Sequence, residues 1–293
     1  KLTGRPPPSG PVWTPDPCEC GDVEPHPGPR FVSKNINGVA GEGKFRRMLT
    51  AINREHKASP ITAIFIQEHQ LPKSDRAKHQ RIAKGLNLLF LPAYGKQAAN
   101  GVTYGGTAII IPNSSIERAT PNEDIDTARA RVAASKRVGS AGRLTTAMLE
   151  IEGRKTKLIS AYAPAKPTPD DKRADFFEAL RPHVTRRTVL GIDANCVPDL
   201  RLDLQRTATS AYENEGFRTL DHVTESKGLI DIARRQLGER PFFTSDHVVA
   251  GGRHCKARLD RIYVPDDPRV AYSHSMCRDF FPHPPKRTEY DHI

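Results

Sequence analysis

The sequence predicts an α/β protein, and two observations carry that prediction. From residue 31 onward, short apolar runs of strand length alternate with stretches whose apolar residues recur at helical spacing. Pro, Gly, Asn and Asp, the residues typical of turns, separate these stretches. The chain has 293 residues and can bury a large core. Because α/β proteins often exceed roughly 200 residues as one unit, we expect a single main domain.

The individual elements follow from the spacing of apolar residues. Phe45, Met48, Leu49 and Ile52 recur at helical intervals, and residues 171–180 show a second helical pattern. The apolar run at 61–66 is too short for a helix and is typical of a buried strand. Strands are predicted at 31–36, 61–66, 88–91, 108–111, 146–151, 157–161, 188–192 and 259–264.

The first thirty residues differ in composition from the rest of the chain. They are rich in proline, with P-P-P at 6–8, so they cannot propagate a helix or bury much apolar area. Within them, G-D-V-E-P-H-P-G-P at 21–29 resembles the 2A-like ribosome-skipping peptides of viruses and retrotransposons, with His26 at the position of their Asn. We therefore expect a disordered leader over 1–30 and a folded domain over 31–293.

The composition favours a polyanionic partner in a reducing compartment. The formal charge is +11, which attracts nucleic acid through counterion release. Five cysteines, odd in number and unevenly spaced, do not form a disulfide scaffold. No apolar run is long enough for a membrane span, and there is no signal-peptide core. A denser basic stretch either lines a phosphate track or is a solvated loop; it comprises Arg129, Arg131, Lys136, Arg137 and Arg143.

Polar residues suited to phosphate chemistry follow the apolar runs, where strands leaving a sheet would bring them together. Taken singly, each is more typical of a turn or a helix cap. As an ordered set they predict one site. They are Asn35 and Asn37 in N-I-N-G, Glu68 in Q-E, Tyr162 in Y-A-P, Asp193 and Asn195 in G-I-D-A-N, Asp260 in R-L-D-R-I, and Asp291 and His292 in Y-D-H-I.

In this order the motifs resemble those of the exonuclease–endonuclease–phosphatase superfamily. N-x-N-G together with Q-E and Y-A-P is most similar to the apurinic-type endonuclease domain of non-LTR retrotransposon polyproteins. The resemblance implies a four-layer α/β sandwich, in which two mixed sheets lie face to face with helices outside. It also implies that the chain ends within the domain's closing strand.

Hydrolysis of a phosphodiester needs an aligned water, neutralised phosphate charge and help for the leaving oxygen. Hard oxygen ligands would hold Mg²⁺ or Mn²⁺, and the resemblance assigns that role to Glu68, supported by Asn35, Asn37 and Asp291. The catalytic set it implies comprises Asp193, Asn195, Asp260, His292 and Tyr162. Two general bases stay open: His292, oriented by Asp260, or Asp193.

Several positions depart from the motifs or compete with them. A second S-D-H at 245–247 precedes Asp260, so the role of the terminal motif is assigned to Asp291 and His292. Thr244 and Ser245 fit a polar loop that would contact DNA. His69 is expected to support the site from behind or to be exposed. Ala165 and Tyr290 replace an Asn and a small hydroxyl residue of the family motifs.

The function expected is metal-dependent nicking of double-stranded DNA, leaving a 3′-hydroxyl that primes reverse transcription by a polymerase domain further along the same polyprotein. That polymerase would be a C-terminal partner, and the site of action would be intracellular and nuclear. Alternatives are an abasic-site repair endonuclease, a catalytically dead nucleic-acid-binding remnant, and a membrane-lipid phosphodiesterase. The basic charge and the missing signal peptide count against the last.

Overall fold

The computed structural model describes residues 28–39, 41–165, 172–205, 214–249 and 253–267. The predicted leader, apart from residues 28–30, lies outside them. So does the predicted terminal motif with Asp291 and His292. Within the described ranges, no helix is long and apolar enough to cross a membrane.

Strands and helices alternate along the described chain, as the sequence predicts. The strands are β1 (Phe31–Asn35), β2 (Ala63–Gln67), β3 (Leu88–Ala93), β4 (Lys96–Gln97), β5 (Thr103–Tyr104), β6 (Thr107–Pro112), β7 (Arg137–Val138), β8 (Leu144–Ile151), β9 (Arg154–Tyr162), β10 (Thr188–Asp193), β11 (Leu204–Gln205), β12 (Leu229–Asp231), β13 (Ser245–Val249), β14 (Arg253–Ala257) and β15 (Asp260–Pro265). The helices are α1 (Glu42–Ala58), α2 (Arg76–Gly85), α3 (Asn113–Ala119), α4 (Ile125–Ala134), α5 (Arg173–Leu180), α6 (Phe217–Glu225) and α7 (Ile232–Leu237).

Two mixed sheets form the centre of the fold. The first has the order β1-β2-β6-β3, with β1 and β2 parallel and the other pairs antiparallel. The second has the order β12-β15-β10-β9-β8-β7, in which β9 and β10 are the parallel pair. A small sheet, β11-β14-β13, and a hairpin, β4-β5, stand beside them.

Apolar side chains pack in three layers. Phe65 and Ile109 of the first sheet meet Leu158 and Val189 of the second in the core between the sheets. On the outer face of the first sheet, α1 and α2 pack against β2, β3 and β6. On the outer face of the second sheet, α5 and α6 cover β9 and β10. The order helix, sheet, sheet, helix confirms the predicted four-layer α/β sandwich.

The first helix shows why these residues fold as they do. Phe45, Met48, Leu49 and Ile52 fall on one face at helical spacing and are buried, as predicted. Charged residues occupy the opposite face, where Arg46 pairs with Glu42 one turn earlier at 3.1 Å. Burial of the apolar stripe against the sheet contributes most of the stability of this helix, because helix propensity alone is weak.

The predicted strands all form, with ends shifted by one to three residues. The run at 61–66 becomes β2, which begins at Ala63 and adds Gln67. The short strands β4, β5, β7 and β11 were not predicted, because two residues are too few to show a period. The predicted helix at 171–180 is observed as α5, from Arg173.

Candidate active site

The inward-facing residues of the central strands change from apolar to polar toward one end of the sandwich. In β10 the inward positions are Val189, Gly191 and Asp193, while Leu190 packs on the outer layer. The other central strands follow the same alternation, because successive side chains in a strand point to opposite faces. The result is a polar end of the inter-sheet space, formed by Asn35, Tyr162, Asp193 and Asp260.

Strand pairing places these residues side by side. Asp193 is the register partner of Tyr162 in the parallel neighbour β9 and of Asp260 in the antiparallel neighbour β15. Asn35 ends β1 in the opposite sheet, next to Gln67, and Glu68 follows directly. The structure thus brings together five of the predicted site residues from both sheets.

Asn35 connects the two carboxylates of the site. Its amide nitrogen donates to Glu68 Oε1 and to Asp193 Oδ2, each at 2.7 Å. Its Oδ1 accepts the backbone N–H of Asn37 at 2.9 Å. Because a backbone N–H can only donate, this contact assigns the amide orientation. Asn35 therefore presents N–H groups to Glu68 and Asp193, and its predicted role as a metal ligand stays a prediction.

The same local turn occurs twice in the site. Asp193 Oδ1 accepts the backbone N–H of Asn195 at 2.9 Å, which repeats the contact of Asn35 with Asn37. Asn37 and Asn195 both have left-handed backbone, with φ of 40° and 48°, which Asn tolerates better than most residues. Asn195 also donates through Nδ2 to the Ala163 carbonyl at 2.9 Å. These turns hold Asn35 and Asp193 in fixed orientations.

Glu68 adopts a backbone conformation that is unfavourable for glutamate. Its φ is 54°, in the left-handed region, where a non-glycine residue costs free energy on the order of 1 kcal/mol or more. Surrounding hydrogen bonds hold it there: Gly38 N–H donates to the Glu68 carbonyl at 2.7 Å, and His69 N–H donates to Gly106 at 3.3 Å. The strained turn directs the carboxylate toward Asn35.

Tyr162 completes the inner wall of the site. Its hydroxyl is hydrogen-bonded to Glu68, and burial, reinforced by the charges of Glu68 and Asp193, raises the pKa of the phenol far above its ordinary value. The phenol therefore keeps its proton and remains a hydrogen-bond donor. The Arg143 guanidinium lies 5.4 Å from the ring centroid, within the range of a cation–π contact.

The backbone of Asp260 is held by Thr244, which was predicted to lie in a DNA-contacting loop. The Thr244 hydroxyl oxygen accepts the backbone N–H groups of Leu259 and Asp260, both at 3.0 Å. Thr244 is 7% exposed and Ser245 is 1% exposed, so the prediction that this pair forms a DNA-contacting surface is wrong. The hydroxyl of Thr244 is needed inside the protein, because two buried N–H groups at the start of β15 require an acceptor.

A buried ion cluster fixes the beginning of the same strand. Arg258 is 1% exposed and donates to Asp203 at 2.7 Å and to Asp231 at 2.5 Å. Arg234 also pairs with Asp203. The Arg of the R-x-D motif thus connects the residue before β11 with the end of β12, and no short-range signal in the sequence indicates its partners.

A separate cavity lies next to this cluster. Its volume is about 460 Å³, and Asp221, Glu225 and Arg235 are among the residues that line it. None of the predicted site residues lines this cavity, so it is distinct from the candidate site at the strand ends.

His69 is buried, so the alternative that it is exposed was wrong. Its Nδ1 accepts the Leu71 N–H at 3.0 Å, and its Nε2 contacts the Ala93 carbonyl at 3.2 Å. Burial lowers the pKa of His69 to about 4, which keeps the ring neutral at ordinary pH. With Nδ1 as acceptor and Nε2–H as donor, the ring supports the turn behind Glu68.

The five residues of the basic stretch have different contacts in the structure. Arg131 pairs with Glu123 at 2.7 Å, Lys136 donates to the Pro92 carbonyl, and Arg137 donates to the Ala134 carbonyl at 3.0 Å. Arg129 contacts Asn113 and the Leu88 carbonyl. Of the five, only Arg143 is described in contact with a predicted site residue. Because Arg129 and Arg131 lie in α4 and Arg137 in β7, the expectation of a solvated loop does not hold for the stretch as a whole, while the phosphate track stays a prediction.

Two further positions can be placed in the fold. The competing S-D-H motif begins β13, where Ser245 pairs with Ala257 of β14. Ala165, which replaces the Asn of the family motif, offers its carbonyl to Arg173 at 2.7 Å.

The donor chemistry of the site fits a divalent ion. Glu68 and Asp193 both accept from one amide nitrogen, that of Asn35. Two carboxylates at such a short separation repel each other unless a cation or a proton lies between them. Both supply the hard oxygen donors that Mg²⁺ prefers, and Mg²⁺ keeps several waters rather than requiring a full set of protein ligands.

Comparison with known proteins shows the fold. An AP endonuclease from Leishmania major is similar with a TM-score of 0.57 and 16% identity, over 81% of this chain and 79% of that one. The endonuclease domain of TRAS1, a telomere-specific non-LTR retrotransposon, has a TM-score of 0.44 and 15% identity, over 80% and 84%. TDP2 from D. rerio, complexed with single-strand DNA product, has a TM-score of 0.49 and 14% identity, over 84% and 87%.

The likeness to the Leishmania major structure is one of fold. It assigns the chain to the endonuclease/exonuclease/phosphatase fold, in agreement with the two mixed sheets and their helices. No family model and no curated protein matches the sequence.

Proposed function

We propose that this chain is a metal-dependent DNA endonuclease that hydrolyses one phosphodiester bond per event. The observation that carries the proposal is the contact of Asn35 with both Glu68 and Asp193, beside the protonated Tyr162. This arrangement combines a carboxylate for a metal ion, a second oriented carboxylate and a neutral hydrogen-bond donor. Phosphodiester hydrolysis requires these groups, and the basic chain attracts a polyanion.

Each residue has a role that its contacts support. Glu68 is the carboxylate that would hold Mg²⁺ or Mn²⁺, and the bound ion would neutralise charge on the phosphate. Tyr162 keeps its proton because of the raised pKa, and its single O–H is hydrogen-bonded to Glu68; with Glu68 on the ion, that O–H would be available as a hydrogen-bond donor to a phosphate oxygen. Asn195 presents a fixed amide, because Ala163 holds its nitrogen. Asn37 and Asp291 remain proposed supports of the ion.

The proton acceptor is the step with two candidates. Asp193 is oriented by Asn35 and by the Asn195 backbone, so one carboxylate can receive the proton of an attacking water. His292 is the alternative, with Asp260 orienting it from the start of β15. We propose Asp193, since its carboxylate faces the other groups of the site at the same strand ends.

A supercoiled-plasmid nicking assay tests the proposal. We expect Mg²⁺-dependent nicking by the wild type, and losses of at least about a hundredfold for Glu68→Gln and Asp193→Asn. The matched control is Glu178→Gln, which removes an exposed carboxylate paired with Arg181 on the far layer. Full activity in either site variant would refute the assignment of that residue.

The biological setting proposed is the mobile element that the motifs resemble. The 3′-hydroxyl left by nicking would prime reverse transcription by a polymerase domain of the same polyprotein, acting on nuclear DNA. The proposed domain division, a leader over 1–30 and a nuclease over 31–293, belongs to the same proposal. Single-turnover extension of the nicked strand by an added reverse transcriptase tests the 3′-hydroxyl. Blocked extension contradicts the priming role.

The alternative with a specific observation behind it is an abasic-site repair endonuclease, since a protein of that name shares the fold. Comparison of rates on intact and abasic duplexes of one sequence separates the two functions. A strong preference for the abasic duplex favours repair. DNA binding without any metal-dependent cleavage of either duplex favours a catalytically dead remnant.

A further inference from the structure

Directly beneath the site lies a layer of buried polar residues to which the proposed chemistry assigns no role. We call it the polar seam, and it consists of Gln67, Thr107, Thr145, Ser160 and Gly191. The four residues with polar side chains are 0% exposed. Strand register groups them in two facing rows, Gln67 with Thr107 in the first sheet and Thr145, Ser160 and Gly191 in the second.

Gln67 bridges the two sheets. Its Nε2 reaches Ser160 Oγ at 3.3 Å and the Gly191 carbonyl at 3.4 Å in the second sheet, and Ser33 Oγ at 3.3 Å in its own. Ser160 uses its hydroxyl hydrogen on the Ile66 carbonyl at 2.9 Å, and a carbonyl can only accept. Both partners in the second sheet therefore need a donor, which assigns the amide nitrogen to this position.

A second bridge lies beside the first. Thr107 Oγ1 and Thr145 Oγ1 are 2.9 Å apart, and Thr145 also donates to the Thr107 carbonyl at 3.1 Å. These bonds join β6 of the first sheet to β8 of the second. The seam thus connects the sheets at two neighbouring points, one layer below the site.

The sheets approach closely at the seam because of Gly191. A Cβ at this position would lie 2.5 Å from the Phe65 side chain, so only glycine permits the observed spacing. Gly191 and Ser160 stand two residues before Asp193 and Tyr162 on the same strand faces. Gln67 directly precedes Glu68. A change in spacing or offset at the seam would therefore be transmitted directly to the site.

Apolar packing and hydrogen bonds constrain the two sheets in different ways. Apolar packing between sheets is not directional and tolerates small sliding, whereas hydrogen bonds specify distance and angle. Removing one partner of a buried hydrogen bond costs stability, because the other partner is left unsatisfied, so a loss of stability alone does not distinguish a positioning role from a structural one. We infer that the polar seam fixes the offset between the sheets so that Asn35 and Glu68 meet Asp193 and Tyr162, and that Gln67 is a positioning residue.

The test uses Gln67→Met, which keeps the unbranched length and removes the amide. Crystal structures of the wild type and the variant report the distance between Asn35 Nδ2 and Asp193 Oδ2 without reference to activity. We expect that distance to change by more than about 0.5 Å, the tolerance of a working site. An unchanged distance would overturn the inference whatever the chain catalyses.

The activity measurement rests on the proposed function and adds a second criterion. Misplacement of this size should lower kcat about tenfold to a hundredfold with KM nearly unchanged. The control is Ile111→Val in the same inter-sheet core, four positions along β6 from Thr107. It should lower the urea midpoint and leave kcat intact, whereas Gln67→Met should lower kcat as well as the urea midpoint.

If Gln67→Met does not fold, a second variant, Thr145→Val, tests the same seam. Thr145→Val removes the bridge to Thr107 with little change in shape, and the same shift in distance with a smaller loss of kcat is expected. If both variants lose only stability, with wild-type distances and wild-type kcat per folded molecule, the seam has a structural role alone. A wild type without nicking activity refutes the proposed function, while the crystallographic distances still decide the role of the seam.

Discussion

The amide nitrogen of Asn35 lies 2.7 Å from Asp193 Oδ2, although the two residues are 158 positions apart and belong to different sheets. The same nitrogen contacts Glu68 at 2.7 Å. One neutral side chain thus holds two carboxylates in a common arrangement, and the site depends on the relative position of the two sheets.

Asn35→Asp should destabilise the fold, because it removes both N–H donors and buries a third carboxylate among the first two. We expect a loss of about 3 kcal/mol in the free energy of unfolding at pH 7. The loss should shrink toward pH 5, where protonation relieves the repulsion. Urea unfolding at both pH values measures it. Asn37→Asp, which leaves the bridge intact, is the control; equal losses in the two variants would contradict this account.

Arg143→Gln should weaken binding of DNA. The guanidinium stacks on Tyr162 at the edge of the site, where a phosphate would be bound. If Arg143 contacts one phosphate, its loss should reduce the slope of log K against log salt by about 0.9. Fluorescence anisotropy on a Glu68→Gln background measures that slope. The matched control is Arg154→Gln. Arg154 is the first residue of β9 and Tyr162 is the last, so the two residues lie roughly 26 Å apart at 3.3 Å per residue. A slope unchanged by Arg143→Gln excludes the contact.

His69 should make stability depend on pH below neutrality. Burial lowers its pKa from the ordinary 6.5 to about 4. The unfolded chain therefore binds a proton that the folded chain does not, and stability falls as pH drops from about 6.5 to about 4. A shift of this size corresponds to about 3 kcal/mol. His69→Asn should flatten the dependence of the urea midpoint on pH, whereas His222→Asn on the exposed surface of α6 should not. Parallel curves for wild type and His69→Asn would refute the assignment.

Asp203→Asn should be among the most destabilising changes of a single charge. Asp203 is 0% exposed and pairs with Arg258 and Arg234, so its loss leaves the buried Arg258 with Asp231 as its remaining described carboxylate partner. The expected cost is about 3–5 kcal/mol, measured by urea unfolding. Asp126→Asn is the control, because its pair with Lys84 is exposed on both sides and should be dispensable. Similar midpoints for the two variants would show that the cluster contributes little.

Much of the site could be predicted from the sequence. The strands follow from the alternation of β1 and from the continuous apolar run of β10, a pattern typical of a strand buried on both faces. The two strands end at Asn35 and Asp193, and the order of the motifs predicts that both belong to one site. The inward row of small polar residues below them was equally present in the sequence. It was missed because isolated Gln, Ser and Thr residues are ordinary in strands.

Other features required the tertiary structure. Thr244 reads as a surface loop residue, yet the start of β15 needs its hydroxyl. His69 stands beside Glu68 in the chain, yet its ring is buried against the Ala93 carbonyl and the Leu71 N–H, contacts that no local pattern indicates. Arg143 differs from the other four residues of the basic stretch because, among them, it is the one described in contact with Tyr162.

The sequence by itself determined the fold class, the identity of the strands and the set of polar residues at their ends, because local periodicity and chain order encode these. The tertiary structure alone decided what those residues do to one another. Contacts such as Asn35 with Asp193 and Gln67 with Ser160 join strands of different sheets, and their geometry depends on how the two sheets are offset across the core. That offset is a property of packing between distant segments, which no short-range pattern records.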